Sequence, residues 1–156
     1  MITVREVVDR AGLEEAWRIR LEVFVGEQRV PLEEEVDARD EDPSTLHAVA
    51  YVGGVPAGTG RVLRDTPGHV HVGRVAVRAP FRSSGVGTAL MVHLEGRALT
   101  EYGLVEGDGR ISVVVALSAQ ESAMGFYSRI GYSVVSTERY LDAGIWHQDM
   151  ARTITL

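Results

Sequence analysis

One stretch limits the folds open to this chain more than any other: Val75 to Leu90, VAVRAPFRSSGVGTAL. It begins as a β-run, passes through a basic turn containing glycine, and continues with helical spacing. The turn Arg82-Ser83-Ser84-Gly85-Val86-Gly87 has the form R-x-x-G-x-G. Its glycines let the backbone take positive φ or approach a ligand closely, and Gly87 stands where the helix is expected to begin. The first N–H groups of such a helix have no intrahelical acceptor, and the positive end of its dipole points into the loop. A helix end of this kind binds anions, phosphates above all. Arg78 and Arg82 flank it and add mobile positive charge. A plain connecting turn would use the same glycines for tightness alone. Strand before, helix after and arginine within the loop point instead to a phosphate-bearing ligand. The P-loop pattern fits less well, because it needs Lys and then Ser or Thr after its last glycine, and Gly87 is followed by Thr88-Ala89. The dinucleotide fingerprint needs three glycines and a later acidic residue, and Arg82 occupies the place of its first glycine.

The rest of the chain supplies the elements around that turn. Ile2 to Val8 alternates loosely and suits a first strand. Apolar residues at Leu13, Ala16, Trp17, Leu21, Phe24 and Val25 predict a helix over Leu13 to Val25, broken by Gly26 to Pro31. Leu46 to Val52 and Val55 to Leu63 are two β-runs joined at Gly53-Gly54, a hairpin signal. The turn Asp65-Thr66-Pro67-Gly68 leads into a strand over His69 to Val77. Gly87 to Tyr102 is amphipathic through Leu90, Met91, Leu94, Ala98 and Leu99. Ile111 to Leu117 is almost continuously apolar and predicts a central strand buried on both faces. A short helix is expected over Gln120 to Ile130, ended by Gly131. Tyr132 to Val135 and Ile145 to Ile154 supply closing strands. No repeat or linker interrupts this order, so the expectation is a single α+β domain over residues 1–156 with a mixed, mostly antiparallel sheet.

Charge and composition exclude several classes. A formal net charge of −6 argues against nucleic-acid binding, which wants a basic face. The cysteine count is zero, which removes disulfides, thiolate metal sites and a cysteine nucleophile. The opening MITVREVVDRAG carries charge and no long apolar run, so neither a signal peptide nor a membrane span is expected, and a cytoplasmic location follows. His69 and His71 share a strand face without a third ligand, so no metal site is expected. Glu33 to Asp42 is densely acidic. It suits either a solvated surface or a negative rim that attracts a cationic amine.

The turn, the element order and a second motif resemble the GNAT superfamily of N-acetyltransferases. There, R/Q-x-x-G-x-G/A between strand and helix holds the pyrophosphate of acetyl-CoA. Here that role falls to Arg82, Ser83, Ser84, Gly85, Val86, Gly87 and Thr88. Leu117-Ser118-Ala119-Gln120, followed by Phe126-Tyr127-Ser128-Arg129-Ile130-Gly131-Tyr132, resembles the second signature, where a Tyr on a short helix faces the acetyl-CoA sulfur. Arg20 to Pro31, Glu35-Val36-Asp37, Leu46-His47 and Gly144-Ile145-Trp146-His147 are similar to the ElaA-like branch. The resemblance implies a three-layer α/β/α fold and acetyl transfer to a primary amine of a small molecule or peptide, by direct attack in a ternary complex. It implies no metal, and proteins of this kind are commonly dimers through a sheet edge.

Transfer to an amine needs a held thioester, an uncharged nitrogen, a stabilised oxyanion and a proton for the departing thiolate. The resemblance gives the first task to backbone groups of Val75, Ala76 and Val77, with a strand N–H near the oxyanion. Tyr127 is the candidate acid, since a phenol that titrates near ~10 is protonated at neutral pH. Glu27, at the break after the first helix, is the candidate base, with Glu35 and Asp37 as second candidates; His47 and His147 are of a residue type that titrates near neutrality, although a lone histidine on a strand is usually structural. Glu35, Asp37, His47 and His147 are the expected acceptor-side contacts. A non-catalytic acyl-CoA-binding module would keep the Arg82–Gly87 loop without a proton donor, and Tyr127 speaks against it.

Overall fold

In a computed structural model that describes residues 1–156, the β-runs form one mixed sheet. β1 (Ile2–Glu6), β2 (Leu46–Val52), β3 (Val55–Thr66) and β4 (His69–Val77) pair antiparallel in succession. β5 (Leu104–Val105) is a short strip beside β6 (Ile111–Gln120), which runs parallel to β4. β7 (Ser133–Asp142) and β8 (Ile145–Thr155) complete the order β1-β2-β3-β4-β6-β8-β7. Gly53 and Gly54 have φ of 56° and 83°, the paired positive values that a two-residue hairpin turn requires.

α1 (Arg10–Arg20) starts at Asp9, whose carboxylate accepts from the Gly12 N–H at 2.9 Å. The chain keeps winding as a wider π-helical turn over Leu21–Glu27, closed by Gln28 N–H to Val23 C=O at 3.0 Å. Arg29, at φ 60°, then turns it away. The helix expected over Leu13 to Val25 is thus present but begins earlier and changes its winding midway. α2 (Leu32–Glu35) and a 3₁₀ turn (Ala38–Glu41) follow, then α3 (Val86–Tyr102) and α4 (Met124–Arg129) later in the chain.

Strand alternation sends side chains to both faces, and each face is covered by a helix. Ala16, Ile19, Val23 and Phe24 pack on Val49 and Ala76. On the opposite face, Val86, Leu90, Leu94 and Ala98 of α3 pack on Ala48, Ala50, Val113 and Val115. The result is a three-layer α/β/α domain. α3 lies close to the sheet because β3 carries glycine beneath it. A Cβ on Gly60 would stand 2.8 Å from Leu94 Cδ1, and one on Gly58 3.0 Å from Leu90 Cδ1.

Two expectations need correction. β6 is buried on the α3 face through Val113, Val115, Leu117 and Ala119, but its other face is only partly covered. That second face borders an open cleft. β7 also runs well beyond Val135, because Arg139 to Asp142 pair with Ile145 to Gln148 after an irregularity at Val134. No helix is long and apolar enough to cross a membrane.

Candidate functional site

The cleft exists because β4 and β6 part company. They pair only at His69–Val114, Val70–Val115 and His71–Ala116. Beyond this, Thr59 opposes Ala76 while Arg61 opposes Gly73, so Arg74 and Val75 together face Gly60. This is a β-bulge, which bends its strand and re-aims its side chains. Arg74 sits within it at φ 53°, a left-handed conformation seldom adopted by a non-glycine residue. From the bulge onward the two strands splay, and a cavity of about 500 Å³ opens between them.

One end of the gap meets the basic turn. The Arg78 N–H donates to Ala57 C=O at 2.8 Å, so by strand alternation Ala76 also faces β3. Val75 and Val77 therefore turn their N–H and C=O groups to the gap. Val77 C=O accepts from Arg82 Nε at 2.9 Å. Ser83 at φ 62° and Gly85 at φ 91° curl the loop, and Gly85 opens α3 with no side-chain cap. The amides of Val86, Gly87 and Thr88 have no protein acceptor. Curled backbone, free amides and helix dipole make a cradle for an anion. Helix α3 starts at Val86, one residue before the expected Gly87.

Tyr127 stands on α4, just past the end of β6. Its ring packs edge-to-face on Phe126 and Tyr132, with centroids 5.1 and 5.8 Å away. The residue is only 9% exposed, lines the cavity, and its hydroxyl has no protein partner. Burial pushes the phenol up to about 12.

The acidic stretch is not a free rim. Glu35 and Asp40 turn inward and meet three arginines from distant elements. Arg20 Nε donates to Glu35 Oε1 at 2.7 Å, and its Nη1 and Nη2 donate to Asp40 at 2.7 and 3.0 Å. Arg61 Nη1 donates to Asp40 at 2.8 Å and to Asp37 at 2.9 Å. Arg74 reaches Asp37 at 3.3 Å and Glu35 at 3.4 Å. Trp17 Nε1 adds a bond to Asp40 at 3.0 Å. Three guanidinium groups thus balance three carboxylates. For Asp40, burial opposes ionisation, but Arg20, with Trp17 and Arg61, wins and holds the carboxyl at about 2. Glu35 receives fewer donors; its burial dominates and raises it.

The site candidates separate accordingly. Glu35 and His147 line the cavity together with Tyr127. Asp37 is occupied by Arg61 and Arg74 and does not line the cavity. His47 lies behind the ionic cluster, with Nε2 3.0 Å from the Asp40 carbonyl and desolvation lowering its proton affinity. Glu27 is outside the cavity, paired with Arg82 Nη2 at 2.6 Å. Sequence reasoning passed over Asp40, Arg61 and Arg74, which no local pattern marks. His71 is hydrogen-bonded to Asp65, and both line the cavity. No group of three or more metal-binding side chains comes together.

Residues 8–154 match the family described as Acetyltransferase (GNAT) domain. The uncharacterized N-acetyltransferase YjcF of Bacillus subtilis is 40% identical over 140 residues, covering 90% of this chain and 91% of that protein. Among solved structures, Escherichia coli ElaA superposes with a TM-score of 0.79 at 26% identity, over 97% of this chain and 99% of its own. An acyl-CoA N-acyltransferase from Pseudomonas aeruginosa superposes with a TM-score of 0.75 at 31% identity, over 97% and 98% of the two chains.

Proposed function

Because this chain belongs to the GNAT family of acetyltransferases, we propose that it moves the acetyl group of acetyl-CoA to a primary amine of a small molecule or peptide, by direct attack in a ternary complex. The observation that carries this is the partnerless Tyr127 hydroxyl inside the gap between β4 and β6, with an anion cradle at the gap's other end.

The residues present fit acetyl-CoA as co-substrate. Arg82 and the amides of Val86, Gly87 and Thr88 suit its diphosphate. The gap-facing groups of Val75 and Val77 suit the amides of its pantetheine arm, as a further strand would be held. A strand N–H at the bulge is the preorganised donor for the oxyanion. Tyr127, kept protonated by burial, supplies the thiolate with a proton. The same apolar surroundings make that thiolate a stronger base, which favours the transfer.

The acceptor end also has a usable charge. Glu35, Arg61 and Arg74 are committed to the ionic cluster. That leaves Glu34 and Asp142, with Asp65 beside its partner His71, against Arg39 in the cavity lining. A lining with this negative balance suits an ammonium group on the way in. The test is incubation with acetyl-CoA and a panel of alkylamines, amino acids and lysine peptides, read by mass spectrometry of the acceptors. Acetylation of at least one amine is expected. Tight coenzyme A binding with no acceptor ever acetylated would overturn the reading in favour of a binding module.

A further inference from the structure

An amine arrives at neutral pH as an ammonium ion and must lose a proton before it can attack. The residues assigned above supply no group for this. Glu27 is tied to Arg82 outside the cavity. Glu35 has Oε1 bonded to Arg20, with Arg74 beside it, so its negative charge is already engaged. We propose that His147 is the general base of the reaction, its Nε2 taking the proton from the acceptor ammonium. This rests on the acetyltransferase reading above.

Three observations converge on His147. First, β8 pairs with β6 so that His147 opposes Gln120 and Asp149 opposes Ser118. Paired residues share a sheet face, so His147 stands with Ser118 and Gln120 on the face that lines the cavity. Gln120 closes β6, and α4 with Tyr127 begins four residues later. Second, His147 Nδ1 lies 2.7 Å from the Ile145 carbonyl oxygen. A carbonyl only accepts, so Nδ1 carries the hydrogen and the neutral ring keeps a bare lone pair on Nε2. Only Nδ1 of the ring is bonded to the protein, so Nε2 is free, although the residue is only 9% exposed. Third, the ring is held still. It stacks on Tyr140 at 16° with centroids 5.9 Å apart, and the Tyr140 hydroxyl donates to Asp149 at 2.7 Å and contacts Ser118. A fixed tautomer on a fixed ring with a free acceptor nitrogen in the cavity is what a base requires. His71 is the other histidine of the cavity. It is more than half exposed and sits where β4 and β6 are still paired, short of the splayed region.

The step balances as follows. Nε2 takes one proton from the ammonium, and the freed lone pair forms the C–N bond to the acetyl carbon. The C–S bond breaks with its electron pair on sulfur, which takes the Tyr127 phenolic proton. The second nitrogen proton restores the phenol, and His147 passes the first to solvent. One amide, one thiol and one proton are formed.

The test compares wild type with His147→Asn, which keeps a donor for the Ile145 carbonyl, with His147→Gln as the second variant. The acceptors are the best alkylamine of the panel and hydroxylamine, which is uncharged at the assay pH. Expected is a loss of about 100-fold or more in kcat/KM for the alkylamine, a much smaller loss for hydroxylamine, and unchanged coenzyme A affinity and melting temperature. Equal losses with both acceptors would mean a structural role and overturn the proposal. So would full activity in both variants, or a His71→Asn variant that carries the loss instead; in those cases the acetyltransferase reading stands. A wild type that acetylates no amine overturns both.

Discussion

Asp40→Asn changes one heavy atom at the point where the buried ionic cluster converges. Four donors converge on the Asp40 carboxylate: Arg20 Nη1 and Nη2, Arg61 Nη1 and Trp17 Nε1, between 2.7 and 3.0 Å. The side chain is fully buried. An asparagine offers one acceptor oxygen and turns an NH₂ group towards guanidinium donors. It also leaves three arginines against two carboxylates in a dry site. Breaking a buried ion pair from one side costs about 3–5 kcal/mol. For a chain of this length, each kcal/mol lowers the melting temperature by roughly 2–4 °C, so a drop of roughly 6–20 °C is expected. The pH dependence carries a second signature. Asp40 is depressed from 3.8 to about 2, so its contribution is present above the unfolded value and is lost as pH falls through the folded one. That contribution is about 2 kcal/mol, and the variant lacks this acid limb. Calorimetric melting at neutral pH and between pH 4 and 2 measures both effects. A neutral-pH shift under about 2 °C, or an unchanged acid limb, would refute the view that Asp40 is the hub of the cluster. Coenzyme A affinity at low temperature should be unchanged, because the Arg82–Gly87 loop is built from other residues.

Other expectations concern the two ends of the gap. A Cβ at Gly87 would stand 3.2 Å from Phe126 Cζ, so Gly87→Val displaces Phe126 and crowds the cradle; calorimetry should show coenzyme A affinity reduced by at least ~10-fold, about 1.4 kcal/mol. Glu27→Gln releases Arg82 from its exposed partner, and a modest gain in coenzyme A affinity with turnover retained is expected; lost turnover at retained affinity would return the base to Glu27. Tyr127 is raised from 10.0 to about 12. Its neutral form therefore stabilises the fold below pH 10, and that contribution, up to about 3 kcal/mol, is lost as pH rises through 12. Tyr127→Phe should accordingly lose less stability than wild type over that interval in denaturant titrations.

The legible part of this chain was local. Glycine pairs, alternation in β2 to β4 and the helical spacing after Gly87 depend on neighbours within a few residues, and those elements form at the expected places, although β3 runs on to Thr66 and takes Asp65 and Thr66 out of the expected turn. The glycine turn at the start of α3 was legible for the same reason. What escaped depends on partners far apart in sequence. Glu35 and Asp40 looked like surface acids because Arg20, Arg61 and Arg74 reach them from α1, β3 and β4. The bulge at Arg74 needs a left-handed residue, and an arginine gives no local sign of that. The length of β7 is set by β8, which pulls Arg139 to Asp142 into the sheet despite their exposure. His147 is legible as an acceptor-side histidine and as one of several possible bases. Its fixed tautomer, which suits it to a base, arises from the Ile145 carbonyl and could not be read from the residue alone.

The central claim is that the splayed gap transfers acetyl groups with Tyr127 as the acid. Its most direct test is free-thiol release from acetyl-CoA with the preferred amine, comparing wild type and Tyr127→Phe at matched coenzyme A occupancy. Amine-dependent release in wild type, with most of it lost in the variant while coenzyme A still binds, is the predicted result. Release that survives the substitution undiminished would contradict it, since the partnerless phenol in the cavity lining would then have no part in the chemistry.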